Sequence, residues 1–498
     1  MLFNSFSFLL FFAVMLILHR LPFSWKTKKI NLLLASYIFY AAWNPVFILL
    51  LWLSTVVDFF VGRALYQQEN QRKKNLLLIV SLIGNLGMLC FFKYGTFLLE
   101  NFTFLVNYLG WDYHPAAPDI ILPAGISFYT FTTLCYTIDM YKKQSKPVTS
   151  LLDFSLFVTF FPHLVAGPIV RPHQLVPQFD KPVSASREQL LNGLFLLSLG
   201  LFMKLVLADT MLSGTSDMVF NFNKPLLQLD AWMGVLAFSG QIFFDFAGYS
   251  TCAIGVAMCL GFSLPENFRF PYAAIGFSDF WKRWHITLSA WLRDYLYIPL
   301  GGNRKGSVRT YINLMLTMLL GGLWHGASWT FVVWGALHGI FLCIERWIRN
   351  RGQKETDYPV EVNVPLVHKE PYVAASFVPS FLYNRQVRLF LAALFTFFLV
   401  NLTWVFFRAD NFSTAWRLLS SLFGFDKNGV AILPTLDLIR VTVVIVLMIA
   451  THWFMRNTSV SQLMKQSKWW LVGLAWAALL IMLVLSQKSS DSFIYFQF

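Results

Sequence analysis

Charge is scarce in this chain. Only 13% of its 498 residues are Asp, Glu, Lys or Arg, against 57% hydrophobic and 18% aromatic, whereas soluble domains carry about 25% charge. That shortage excludes a string of ordinary soluble modules. Apolar runs recur almost throughout, which predicts an all-α polytopic membrane protein forming one domain over residues 1–498. Cysteine is also sparse. The five thiols (Cys90, Cys135, Cys252, Cys259, Cys343) lie in apolar stretches without ligand spacing to any histidine, so free, buried thiols and no metal are expected. Gly-x-Ser-x-Gly, His-Glu-x-x-His and Walker patterns are missing too, and with them the usual signals of lipase, zinc-peptidase and nucleotide chemistry.

What is present is positive charge in small clusters. The formal charge is +14, but Lys and Arg gather between apolar runs, as cytoplasmic loops do, rather than forming a nucleic-acid face. A span needs about 20 apolar residues. That ruler predicts a retained first span at 2–18, a helical hairpin over 30–61 kinked at Pro45, and spans near 76–92 and 96–109. Broken apolar segments follow around Pro123-Ala124-Gly125 and Phe161-Pro162-His163 to Pro168. Such breaks survive in a membrane only where protein or a cavity satisfies the freed backbone. Further spans fall at 188–212, 232–262, 389–407, 432–455 and 469–485, with a polar cytoplasmic loop at about 346–388. Charge parity places the C-terminal tail, 486–498, outside the cytoplasm. That tail ends Phe493-Ile494-Tyr495-Phe496-Gln497-Phe498, too short to span and too apolar to stand in water. It is expected either to dock in a groove or to anchor at the interface.

The core of the argument is the stretch 120–345, and within it His285 and His325, both set in aromatic sequence. A titratable ring at membrane depth is a functional-site hypothesis by default. Asp245, among phenylalanines, needs a hydrogen-bonded partner, either a functional histidine or Arg or simply a helix cross-link. At about 100° per residue, 278–295 reads as one amphipathic helix. Phe280, Trp281, Trp284, Leu288 and Trp291 then share one face, and Asp279, Lys282, Arg283, Arg293 and Asp294 the other, with His285 at the margin. This helix suits an interfacial or re-entrant position. The following Gly301-Gly302-Asn303-Arg304-Lys305 is a basic loop that either receives phosphate groups or merely connects. His163 and His338 read as packing residues. Physics alone leaves an acyltransferase and a proton-coupled transporter or scaffold both open.

The motifs narrow this. Pro123-Ala124-Gly125-Ile126-Ser127-Phe128-Tyr129, Asp245-Phe246-Ala247-Gly248-Tyr249-Ser250, Trp284-His285, Arg293 to Arg304 and Gly321-Gly322-Leu323-Trp324-His325-Gly326 together resemble the membrane-bound O-acyltransferase superfamily. The similarity is to its bacterial branch typified by the membrane subunit of alginate O-acetylation. Thr251 departs from the pattern, where the family is expected to have an acid. The resemblance implies a ring of membrane helices with re-entrant elements around a central tunnel. It implies His325 as the catalytic base and His285 as the second motif histidine. Asp245, Tyr249, Trp281, Trp284, Arg293, Asp294, Asn303 and Trp324 are then expected to line or position substrate. Acetyl-CoA is the implied donor, with a cell-surface or extracellular polysaccharide as acceptor, or peptidoglycan as the alternative. A secreted or membrane-anchored serine-esterase-like transferase is the implied partner, at the bacterial cytoplasmic membrane. The tail resembles the acyl-accepting signature of the D-alanylation partner, which makes Tyr495 a candidate acyl carrier.

Overall fold

The computed structural model describes residues 1, 3–116, 118–352 and 384–486. Helix dominates, as it must where lipid offers the backbone no partner. Among the described residues the only sheet-like pairing is a bridge between Leu226 and Val430. In order, the helices are α1 (Phe6–Arg20), α2 (Trp25–Ala41), α3 (Ile48–Gln67), α4 (Gln71–Tyr108), α5 (Ile126–Tyr141), α6 (Leu151–Thr159), α7 (Pro172–Leu175) and α8 (Arg187–Leu201). A π-helical stretch, Phe202–Ser213, leads to α9 (Gly214–Phe220) and α10 (Gln228–Cys259). Then come α11 (Phe277–Trp281), α12 (Ile286–Leu292), a second π turn (Arg293–Tyr297), α13 (Gly306–His325), α14 (Trp329–Gly352) and α15 (Arg385–Arg408). The last are α16 (Phe412–Leu422), α17 (Thr435–Phe454), α18 (Val460–Gln466) and α19 (Trp469–Leu485).

Among the described residues seven helices are long and apolar enough to cross a membrane, and α1 and α19 are shorter apolar helices. The chain is a multi-pass membrane protein. The most hydrophobic window of α10 is 83% buried, against 17% for that of α4, so α10 is the axis and α4 faces lipid. Alpha-helix α8 crosses α10 at contact distance because glycines meet there. A β-carbon on Gly200 would stand 2.5 Å from the Gly248 carbonyl oxygen, and one on Gly193 would stand 2.7 Å from that of Gly255. Small residues at helix crossings are how membrane helices approach this closely. The buried apolar residues form two clusters. One gathers α1 to α6 with the C-terminal half of α10, and the other gathers α9, α11, α15 and α17 with its N-terminal half.

The Pro/Gly breaks are satisfied by protein, as the sequence requires. Gly125 takes φ +73° and lies so close to Leu164 that a β-carbon would stand 2.8 Å from its carbonyl oxygen. The Tyr40 hydroxyl donates to Ala124 O at 3.0 Å, and Phe161 N and Ile169 N donate to Ser36 and Thr287 hydroxyls. The Pro45 hairpin also forms as expected, with Asn44 capping the turn.

Four expectations need correction. The two spans at 76–92 and 96–109 are one 38-residue helix, α4. Lys93, in the interval between those two expected spans, lies within the helix and donates to the His325 carbonyl. The stretch 278–295 is two short helices and a π turn, because His285 takes a left-handed conformation, φ +44°; a single wheel therefore misplaces His285. The loop at 346–388 starts later, since Arg346, Arg349 and Arg351 belong to the end of α14. Residues 353–383 of that loop, and Tyr495 with 487–498 of the tail, lie outside the described residues. All five cysteines are free, but Cys90 is exposed on the lipid-facing α4.

Candidate functional site

The turn that breaks 278–295 exists to serve one side chain. Asn267, 1% exposed, accepts hydrogen bonds through Oδ1 from Thr287 N at 3.3 Å and the Thr287 hydroxyl at 2.9 Å. It lies 3.1 Å from His285 Nδ1. An oxygen already accepting two donors makes Nδ1 the third, so His285 is the tautomer with its proton on Nδ1. Its Nε2 is buried and carries a lone pair with no hydrogen-bond partner among the described residues. The ring is wholly enclosed, edge-on to Phe246 at 4.7 Å and parallel to Phe128 at 6.2 Å between centroids.

His325 ends α13, and Gly326 then turns the chain towards α14. No other residue fits at 326, because a β-carbon there would stand 2.1 Å from the Phe331 ring. His325 is 3% exposed and packed against Trp324, Trp334 and Phe407 at centroid distances of 4.9, 5.0 and 5.4 Å. Trp324 also lies 6.0 Å from His285. The two imidazoles therefore share one indole between them. They sit where the two hydrophobic clusters meet: Trp324, Phe128 and Phe246 belong to the first, and Trp334, Phe407 and Trp284 to the second.

The other candidates distribute unevenly. Trp324 is in the site. Trp281 stands one ring away, 5.9 Å from Trp334, and the fully buried Trp284 packs on Trp404 at 5.1 Å beneath it. Asp245 is ion-paired to Lys204, which also holds Asp209 at 2.8 Å, so the carboxylate cross-links α10 to the π-helical stretch. Tyr249 stacks on Phe3 at 4.6 Å. Arg293, Asp294 and Asn303 form a separate, more exposed group. There Asp294 binds Arg293 at 2.7 Å and Arg171 at 2.5 Å, and Asn303 binds the Tyr297 hydroxyl. Burial alone would push the Asp294 carboxyl up, but the hydrogen bonds from Arg293 and Arg171 hold it below the usual carboxylate range. His338 bonds the Thr403 hydroxyl at 3.0 Å and ties α14 to α15, in keeping with its reading as a packing residue. Among the described residues no group of His, Cys, Asp and Glu is arranged to hold a metal.

Two residues escaped the sequence reading. Asn267 had no signal, sitting in an ordinary loop. Lys93 had one, a lone cation in an apolar run. Asn267→Ala is expected to leave three donors without their acceptor and to destabilise the protein by about 2 kcal/mol or more. Thermal unfolding in detergent checks this, and an unchanged midpoint would remove Asn267 as the organiser of this turn.

Comparison with known proteins identifies the family. The family model described as membrane-bound O-acyltransferase matches residues 144–356, which include both histidines. A peptidoglycan O-acetyltransferase of Helicobacter pylori is 39% identical over 435 residues, covering 81% of this chain and 75% of that protein. A probable alginate O-acetylase of Pseudomonas aeruginosa is 39% identical over 427 residues, covering 85% and 75%. A teichoic acid D-alanyltransferase of Streptococcus thermophilus is 32% identical over a shorter 252 residues, covering 46% and 58%. The chain belongs to the membrane-bound O-acyltransferase family. It is an acyltransferase of the membrane, and the two relatives matched over most of the chain are named as an O-acetyltransferase and a probable O-acetylase.

Proposed function

We propose that this protein takes an acetyl group from acetyl-CoA on the cytoplasmic side and delivers it for O-acetylation of a polysaccharide outside, with His325 as general base. The supporting observation is the placement of His325 and His285 on either side of one indole, sealed from lipid, on the seam between the two packing clusters. The seam is the natural course for a passage joining donor and acceptor, with residues 1–498 acting as one membrane unit of the bacterial cytoplasmic membrane.

The chemistry needs no residue that is missing. The His325 imidazole takes the proton of an attacking hydroxyl as its oxygen bonds to the thioester carbon. The C–S bond then breaks, and the CoA sulfur leaves with the proton returned by the imidazolium. Such base help is typically worth about 10²–10⁴ in rate. The Nε2 lone pair of His285 serves to hold that hydroxyl before attack.

Alginate-type polymer and peptidoglycan are supported equally by the relatives. Comparing O-acetyl content of exopolysaccharide and of purified cell wall, with and without this protein, separates them. If neither changes, the acetyl-export reading fails. In the same scheme Tyr495, on an extracytoplasmic tail, accepts the acetyl group as a phenolic ester and passes it to a secreted serine-esterase-like transferase. Phenolate leaves more readily than alkoxide, which suits a carrier. Tyr495→Phe is expected to fold normally and to abolish polymer acetylation while sparing slow release of CoA to water. Full polymer acetylation in that variant would end the carrier assignment.

A further inference from the structure

The last carbonyls of α13 have no later helical turn to satisfy them, as at any helix C-terminus. Two neighbouring side chains of α4 supply donors. The Tyr94 hydroxyl donates to Leu323 O at 2.9 Å, and Lys93 Nζ donates to His325 O at 2.9 Å. The same ammonium stands 5.7 Å from the Trp324 ring centroid, within cation–π range. Further along α4, Phe97 packs on Trp329 at 5.7 Å, and Asn101 Oδ1 accepts from Trp329 Nε1 at 2.9 Å. Positions 93, 94, 97 and 101 fall on one stripe of a helix with 3.6 residues per turn. Alpha-helix α4 thus grips the His325-to-Trp329 connection at both ends, and it does so through long side chains.

Lys93 is an unlikely residue to find there for packing alone. A cation inside an apolar span is costly, and such groups mark function by default. Among the described residues it has no carboxylate in ion-pair range; its contacts are the His325 carbonyl and the Trp324 ring. Both belong to the pair of residues that carries the candidate base.

We propose that Lys93 is a positioning residue for acyl transfer: by holding the His325 carbonyl it fixes the last peptide of α13 and so the direction of the imidazole. This rests on the reading of His325 as the base. A misplacement of about 1 Å at a reacting group costs on the order of 10² in rate, and substrate affinity need not change with it.

The experiment uses the full chain, purified in detergent, with CoA release followed against acetyl-CoA concentration for the wild type, Lys93→Gln, Lys93→Arg and His325→Ala. Thermal unfolding is recorded for each. Lys93→Gln is expected to lower kcat by about 10-fold to 100-fold with KM little changed, and Lys93→Arg, which keeps a cationic donor, to restore most of it. Full kcat in Lys93→Gln overturns the proposal, and so does a raised KM at unchanged kcat, which would make Lys93 a donor contact instead. Should Lys93→Gln lose its unfolding transition, Lys93→Arg carries the test. Folded and near wild type supports the proposal, whereas folded and inactive overturns it. If His325→Ala releases CoA as the wild type does, the base assignment fails and takes this with it. If His325→Ala is inactive while Lys93→Gln is fully active, only the positioning role fails.

Discussion

His325→Ala will release CoA from acetyl-CoA about 10²-fold to 10⁴-fold more slowly than the wild type. In the proposed scheme the proton goes to His325. His285 commits Nδ1 to Asn267 and uses its Nε2 lone pair to hold the hydroxyl, and its geometry is set by the Asn267 turn rather than by α13. Lys93 donates to the backbone of residue 325. Because the ring is packed against Trp324, Trp334 and Phe407, alanine also opens a cavity, so a lower unfolding midpoint is expected alongside. His325→Gln separates the two effects. It nearly preserves volume and hydrogen bonding but not basicity, and it should be as inactive as alanine while unfolding closer to the wild type. If either variant is folded and keeps wild-type CoA release, the imidazole is not the base.

The largest loss of stability is expected at a different place, Lys204→Met. Lys204 is 8% exposed and stands between Asp209 and Asp245, which are 9% and 1% exposed. Removing one partner of a buried ion pair typically costs about 3–5 kcal/mol, because the remaining charge is left in a poor medium for it. Here one cation serves two carboxylates. The double variant Lys204→Met, Asp245→Leu should regain part of that loss, since it removes the more deeply buried of the two anions. Chemical or thermal unfolding of the single and double variants gives the coupling directly. If Lys204→Met unfolds like the wild type, this triad does not hold α10 to the π-helical stretch.

Much of the architecture was legible before any coordinates, because a membrane leaves the backbone few choices. Length and polarity alone located the Pro45 hairpin, the broken segments near 125 and 162, and the spans that became α1, α3, α8, α10, α15, α17 and α19. Periodicity failed where a local contact overrode it. Nothing in 278–295 announces that Asn267, eleven residues upstream, turns His285 into a left-handed conformation and swings it into the interior. The division of 76–109 into two spans failed because Lys93 does not seek water: a carbonyl and an indole hold it within one continuous helix. The two motif histidines were found from sequence, but their shared neighbour, Trp324, acquires its meaning only in three dimensions.

Beside His325 the two apolar clusters meet along a line of side-chain rings, Trp324 on one side and Trp334 and Phe407 on the other, while α10 and the run from α8 into the π-helical stretch pass through both. A ligand sliding along that line would separate aromatic contacts worth about 0.5–1.5 kcal/mol apiece and break no helical hydrogen bond. The enzyme can therefore behave as two stiff plates with a pliable gasket. If the proposed passage follows this line, ring size at Phe128, Trp324, Trp334 and Phe407 sets its width, one position at a time.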